Sequence, residues 1–85
     1  MTINDWYVYI VKCRDGTFYT GVTNDLDRRI AEHNGGRGCR YTSGRRPVKL
    51  RYSESFRDRS SALKREARIK GLSRREKLIL IGAAL

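Results

Sequence analysis

Apolar and polar positions alternate from Trp6 to Cys13, in a run rich in β-branched and aromatic residues, and the same character returns from Phe18 to Val22. These runs predict two strands, with Arg14-Asp15-Gly16 as the turn of a β-hairpin. Turn length decides which side chains share a face, because one residue of slip inverts a strand. A two-residue loop at Asp15-Gly16 sends Tyr9 and Tyr19 to opposite faces. A three-residue loop with Gly16 left-handed sets Tyr9 opposite Gly21 and Tyr19 opposite Val11, so both tyrosines share one face. The second register also gathers Val8, Ile10, Phe18 and Val22 into one apolar surface, and that coherence selects it. Gly21 then lets the Tyr9 ring, or a ligand's phosphate, approach the backbone closely.

Beyond the hairpin the period lengthens. Thr23 or Asn24 caps a helix running to about Asn34, with Leu26 and Ile30 one turn apart on its inner side. The stretch from Gly35 to Arg46 is rich in glycine and arginine and reads as a loop, and Pro47 opens a third strand that continues to roughly Ser53. A second helix is expected from Asp58 to Lys70, ended by Gly71 in a left-handed conformation. Ser73-Arg74-Arg75-Glu76 is a capping box that starts a last helix. The order is ββαβαα, an α/β (α+β) architecture in which helices flank a three-stranded antiparallel sheet, and residues 1–85 form one domain.

Charge adds a partner. Nineteen basic residues against 9 acidic ones leave a formal charge of +10. So strong a bias concentrates polyanions and favours nucleic acid over a merely soluble basic surface or one suited to anionic lipid. Cys13 and Cys39 lack a CxxC spacing and read as reduced thiols, which places the chain in the cytoplasm, associated with the nucleoid. The N-terminus shows no signal-peptide pattern, and the apolar stretch from Leu78 is far shorter than the roughly 20 residues that cross a bilayer, so no membrane is expected. The apolar C-terminal helix offers a surface to a protein partner.

Three residues raise chemical questions. Arg29 and His33, spaced i, i+4, stack on one side of the first helix, while Arg28 and Glu32 pair on another. For Arg29 the bland explanation is an ion pair with Asp25, and for His33 a structural or dipole-pairing role near a helix end. Glu66 falls inside the apolar stripe of Ala62, Leu63 and Ile69. An inward carboxylate is paired, protonated or metal-bound, and Lys70 one turn later leaves pairing and metal binding both open.

In combination these residues resemble the signature of the GIY-YIG nucleases. Tyr7-Val8-Tyr9 is similar to the first motif and Tyr19-Thr20-Gly21 to the second, with Tyr7 standing where the family has glycine and Thr20 where it has isoleucine. Neither change removes a chemically active group. Leu26 to His33 resembles the family's helix, with arginine and histidine four apart, and Glu66 matches its downstream metal-binding glutamate. The similarity covers nearly the whole chain and is nearest to short, stand-alone bacterial members. It implies a metal-dependent endonuclease acting on phosphodiesters of DNA ahead of RNA, with structured or branched DNA of repair or recombination among its substrates, and with Tyr9, Tyr19, Arg29, His33 and Glu66 as site residues.

The resemblance further implies that Glu66 binds one Mg²⁺ or Mn²⁺, which favour hard oxygen ligands and retain much of their water. Tyr9 would be the general base, which near neutral pH requires nearby cations such as Arg29 to lower a phenol pKa of about 10. Arg29 would hold the scissile phosphate with its planar fork, Tyr19 would orient water or phosphate, and His33 would position Tyr9 or relay its proton. In the glycine-arginine stretch, Arg37, Arg40, Arg45 and Arg46 around Tyr41 suit a surface that tracks a phosphate backbone while Tyr41 stacks on a base; a flexible solvated loop is the other reading.

Overall fold

A computed structural model describes residues 5–83. Strands β1 (Trp6–Lys12) and β2 (Phe18–Thr23) pair antiparallel with Tyr9 opposite Gly21 and Val11 opposite Tyr19, the register selected above. The turn explains it. Cys13 N–H donates to the Thr17 carbonyl at 2.8 Å, Gly16 N–H donates to the Cys13 carbonyl at 2.9 Å, and Gly16 takes φ +87°. Three residues therefore lie between the last paired positions, and the left-handed one is glycine, which adopts that conformation without a Cβ penalty.

Five further elements follow: α1 (Leu26–Asn34), α2 (Arg40–Ser43), β3 (Lys49–Phe56), α3 (Arg59–Lys70) and α4 (Arg74–Ala83). β3 pairs antiparallel with the free side of β1, giving the order β2-β1-β3. It begins two residues after Pro47 and continues past Ser53 to Phe56. The extension is not obvious from hydrophobicity, because Glu54 lies among the inward positions. Arg65 holds it there with Nη2 2.9 Å from Oε2, and the Tyr52 hydroxyl donates to the same carboxylate. Burial opposes ionisation of Glu54, but the Arg65 and Tyr52 hydrogen bonds outweigh it and hold the carboxyl below its ordinary range.

Helices cover both faces of the sheet. Val8 and Ile10 are fully buried with Ala62 and Ile69 of α3, and Phe18, Val22, Tyr52, Phe56, Leu80 and Ile81 pack around them. Each fully buried aliphatic side chain stabilises the fold by about 1.5–3 kcal/mol. On the other face Tyr9, Val11, Cys13 and Val48 form a second cluster that Tyr19, Leu26 and Ile30 complete.

Helix ends follow local chemistry. Asp25, not Thr23 or Asn24, caps α1 by accepting from Arg28 N–H at 3.1 Å, while the Thr23 hydroxyl accepts from Asp25 N–H. Asp58 caps α3, and Ser73 with Glu76 forms the expected reciprocal box at the start of α4. Gly71 ends α3 but stays right-handed at φ −80°, since its N–H reaches the Ala67 and Arg68 carbonyls without the left-handed turn expected of it. Cys13 and Cys39 are free thiols. Among the described residues no helix is long and apolar enough to cross a membrane.

Candidate active site at the edge of β2

Tyr9 is 1% exposed, and its ring lies across the neighbouring strand onto Gly21. A Cβ at Gly21 would stand 2.5 Å from the Tyr9 hydroxyl oxygen and 2.7 Å from Cζ. Only the absence of a side chain lets the phenol reach the sheet edge. Tyr19 projects from the same face, its ring centroid 6.4 Å from that of Tyr9 and 5.4 Å from the His33 imidazole.

Helix α1 places Arg29 and His33 against this pair. Arg29 Nε donates to the Tyr9 hydroxyl at 3.4 Å, and its Nη1 lies 3.1 Å from a Glu32 carboxylate oxygen. The pair with Asp25 does not form, because Asp25 is spent on the helix cap. Arg28 approaches Glu32 only at 4.0 Å, on the solvated side foreseen for it. His33 is fully buried, with Nε2 2.8 Å from the Tyr9 hydroxyl and Nδ1 2.7 Å from the Thr42 hydroxyl. Gly38 packs so closely on the imidazole that a Cβ there would overlap it.

These contacts set the resting protonation states. Arg29 lowers the Tyr9 phenol through its hydrogen bond and charge, as expected of a nearby cation, but burial outweighs it and leaves the pKa above its ordinary value. Desolvation of a nearly inaccessible phenolate is the larger effect. Burial, then the Arg29 charge, pushes His33 below its ordinary value. Burial also raises Tyr19. Near neutral pH the site therefore holds a protonated Tyr9 beside a neutral His33. Burial disfavours the charge on Arg29, but its hydrogen bonds to Tyr9 and Glu32 more than restore it.

Glu66 arrives from the other layer. It sits on α3, which packs on the face opposite the tyrosines, so the five site residues do not share one face of the sheet. Tyr9, Tyr19, Arg29 and Glu66 meet around the edge of β2, where with Trp6 and Arg59 they line an open cleft of about 310 Å³, while His33 lies buried behind Tyr9. The Glu66 side chain is 18% exposed and pairs with Lys70 at 3.3 Å. It is the one carboxylate lining the cleft, and among the described residues no group of three or more His, Cys, Asp or Glu side chains gathers. One carboxylate with phenol oxygens nearby is a hard donor set, and it fits a cation that keeps most of its water, as Mg²⁺ does.

The glycine-arginine stretch is built rather than slack. Its centre is the one-turn helix α2, which lay hidden in the expected loop. Arg45 Nε lies 3.0 Å from an Asp15 carboxylate oxygen, Arg45 Nη1 donates to the Tyr41 carbonyl, and Arg46 Nε donates to the Ser43 carbonyl. The Asn34 side chain clamps Val48 through both its N–H and its carbonyl. Tyr41 stacks on Tyr19 with centroids 5.7 Å apart and carries the Arg45 guanidinium 4.1 Å over its ring. Arg37 and Arg40 are exposed. Sequence reasoning missed Thr42, Trp6 and Arg59 as neighbours of the site. No periodicity marks a four-residue helix, and Trp6 entered only as the start of a strand, although the Arg59 guanidinium lies 5.7 Å over its ring.

A family model described as the GIY-YIG catalytic domain matches residues 5–78. The chain is similar to the UPF0213 protein VNG_2274C of Halobacterium salinarum, 58% identical over 71 residues, which span 84% of this chain and 92% of that protein. It is likewise similar to the UPF0213 protein SSP2268 of Staphylococcus saprophyticus, at 56% identity over 75 residues, with 88% of this chain and 92% of that protein covered. Among solved structures, the solution NMR structure of the UPF0213 protein BH0048 from Bacillus halodurans superposes with a TM-score of 0.61 at 44% identity, covering 93% of this chain and 84% of that one. The protein EF2693 from E. faecalis gives a TM-score of 0.64 at 42% identity with the same coverage.

Proposed function

The chain belongs to the GIY-YIG catalytic domain family, and from that premise we propose that it is an endonuclease that hydrolyses phosphodiester bonds in DNA with a single divalent metal. The observation that carries the reading is the meeting of Tyr9, Arg29 and Glu66 in one cleft, with His33 hydrogen-bonded behind Tyr9. A phosphodiester needs an activated water and neutralisation of the charge that builds on the phosphate. Arg29 presents a planar fork to the phosphate oxygens and remains charged throughout. Tyr9 takes a proton from the attacking water as it passes its own to His33 Nε2, so a phenol with a raised pKa still serves as the base. Tyr19 orients the water or the phosphate. Glu66 would hold Mg²⁺ or Mn²⁺, which when bound supplies positive charge to the phosphate and its departing oxygen.

The charge of +10 favours a polyanionic substrate, and the family match puts DNA ahead of RNA. Branched or flapped DNA of repair and recombination is the class to test first. A non-catalytic DNA- or RNA-binding module of the same fold is the second reading, and the Glu66–Lys70 pair favours it, since a paired carboxylate needs no metal. The two separate on incubation of the purified chain with branched, flapped, linear and RNA substrates at graded Mg²⁺ or Mn²⁺, beside Glu66→Ala and Tyr9→Phe. A nuclease yields metal-dependent products that both variants abolish. A binding module yields salt-sensitive affinity and no product, and cleavage that survives both changes places the activity elsewhere.

A further inference from the structure

Thr42 is fully buried, and its hydroxyl is 2.7 Å from Nδ1 of His33 on the side away from Tyr9. We infer that Thr42 is a positioning residue, which holds His33 in the tautomer protonated on Nδ1 so that Nε2 faces the Tyr9 hydroxyl as a proton acceptor. The inference rests on the nuclease reading for its purpose, but on hydrogen-bond geometry for its content.

Proton counting leads to it. The Tyr9 hydroxyl has two side-chain partners, His33 Nε2 at 2.8 Å and Arg29 Nε at 3.4 Å. Arg29 Nε–H only donates. Were Nε2 also protonated, the phenol oxygen would face two donors and its own proton would lack a protein acceptor among the described residues. A neutral imidazole that accepts at Nε2 carries its proton on Nδ1, and the only polar partner there is the Thr42 hydroxyl. Thr42 has a separate outlet for its own proton, the Cys39 carbonyl at 3.4 Å. Every proton then finds an acceptor, in one direction from Tyr9 through His33 and Thr42 to the backbone. No buried side-chain polar atom among the described residues is left without a partner. Among the described residues the charged and titratable groups facing His33 are Tyr9 of β1, Tyr19 of β2, and Arg29 and Glu32 of α1, with Cys39 one contact further on, against Thr42. Burial and Arg29 keep the ring neutral, as a tautomer preference requires.

The chain has a single histidine, so the two ring nitrogens can be read without ambiguity. Long-range ¹H–¹⁵N correlation spectra of the ¹⁵N-labelled full chain at neutral pH test the assignment. Wild type and Thr42→Ser, which keeps the hydroxyl, are expected to show Nδ1 protonated and Nε2 bare. Thr42→Val, nearly the same shape but unable to accept, is expected to lose that pattern. With DNA and metal, Thr42→Val should lower kcat about 10–100-fold, the range for partners that fix a histidine's tautomer at metal sites, with KM little changed and Thr42→Ser close to wild type. Nε2 protonated in the wild type, or an unaltered pattern in Thr42→Val, overturns the inference. If Thr42→Val fails to fold, the wild-type and Thr42→Ser spectra still decide. A wild type with the expected tautomer and no cleavage on any substrate supports the assignment while removing the nuclease reading. Cleavage with Nε2 protonated does the reverse.

Discussion

The Tyr9 hydroxyl and His33 Nε2 lie 2.8 Å apart across 24 residues of chain, joining the central strand of the sheet to the end of the first long helix. Burial raises the tyrosine and lowers the histidine, so both are neutral near pH 7. Transfer of the proton from Tyr9 to His33 alone would put a phenolate and an imidazolium in the core, which burial disfavours, so the hydrogen bond rests between two neutral groups.

Tyr9→Phe removes that link and keeps the ring. Cleavage should fall by about 10²–10⁴-fold, the usual contribution of a positioned base. Folding should lose only about 1 kcal/mol, the net worth of a typical hydrogen bond. Single-turnover kinetics beside urea unfolding measure both; a large loss of stability with residual cutting would assign Tyr9 to structure alone.

Gly21→Ala tests the close approach of strand and phenol. The new methyl group would contact the Tyr9 ring at 2.5–2.7 Å, and the edge strand or the ring must move. A destabilisation of about 1–3 kcal/mol is expected, as for overpacking elsewhere. Cleavage should drop further than stability accounts for, since the displaced atom is the hydroxyl proposed as the base.

The pH dependence follows from His33. Its pKa lies below the ordinary 6.5 because of burial first and the Arg29 charge second, with Glu32 opposing. The unfolded chain takes up this proton more readily than the folded one. The stability contribution is therefore whole above pH 6.5 and is lost as pH falls through the folded value. Under the nuclease reading cutting needs Nε2 free and should show an acid limb whose midpoint lies below 6.5. A pH–rate profile with a midpoint at or above that value would contradict the burial of this ring.

Arg29→Lys keeps the charge and discards the fork. A fall in kcat of roughly 10²–10³-fold is expected, with DNA affinity changed little. Lysine activity equal to wild type, in a direct comparison of kcat and binding by anisotropy, would reduce Arg29 to a generic cation.

Within the glycine-arginine stretch the arginines divide. Arg37 and Arg40 make no side-chain hydrogen bond or ion pair among the described residues, whereas Arg45 and Arg46 are bonded to the protein. Alanine at Arg37 or Arg40 should lower the slope of log affinity against log salt by about 1 each. Alanine at Arg45 acts first on the loop, and the solvent-screened pair with Asp15 contributes little to that effect. A stacking role for Tyr41 on a base would require Arg45 to leave its ring, so Arg45→Ala should strengthen any such contact.

The hairpin register, both faces of the sheet and the start of α4 were legible because each depends on near neighbours: a turn glycine, an alternation, a serine three residues before a glutamate. So was the stacking of Arg29 and His33 on one side of α1. What stayed hidden depends on distant partners. Helix α2 is too short to stabilise itself. It exists because Thr42 meets His33, Tyr41 meets Tyr19 and Arg45 meets Asp15. β3 runs beyond Ser53 because Arg65 neutralises an inward Glu54 from another helix. The raised pKa of Tyr9 was likewise unreadable, since charge can be counted along a chain and burial cannot.

The cleft draws its residues from two layers on opposite faces of one sheet. Because α3 also completes the core around Val8 and Ile10 of β1, the strand that carries Tyr9, the same packing that buries the sheet brings Glu66 to the cleft. Under the nuclease reading a complete site therefore exists only once helices have closed on both faces of the sheet.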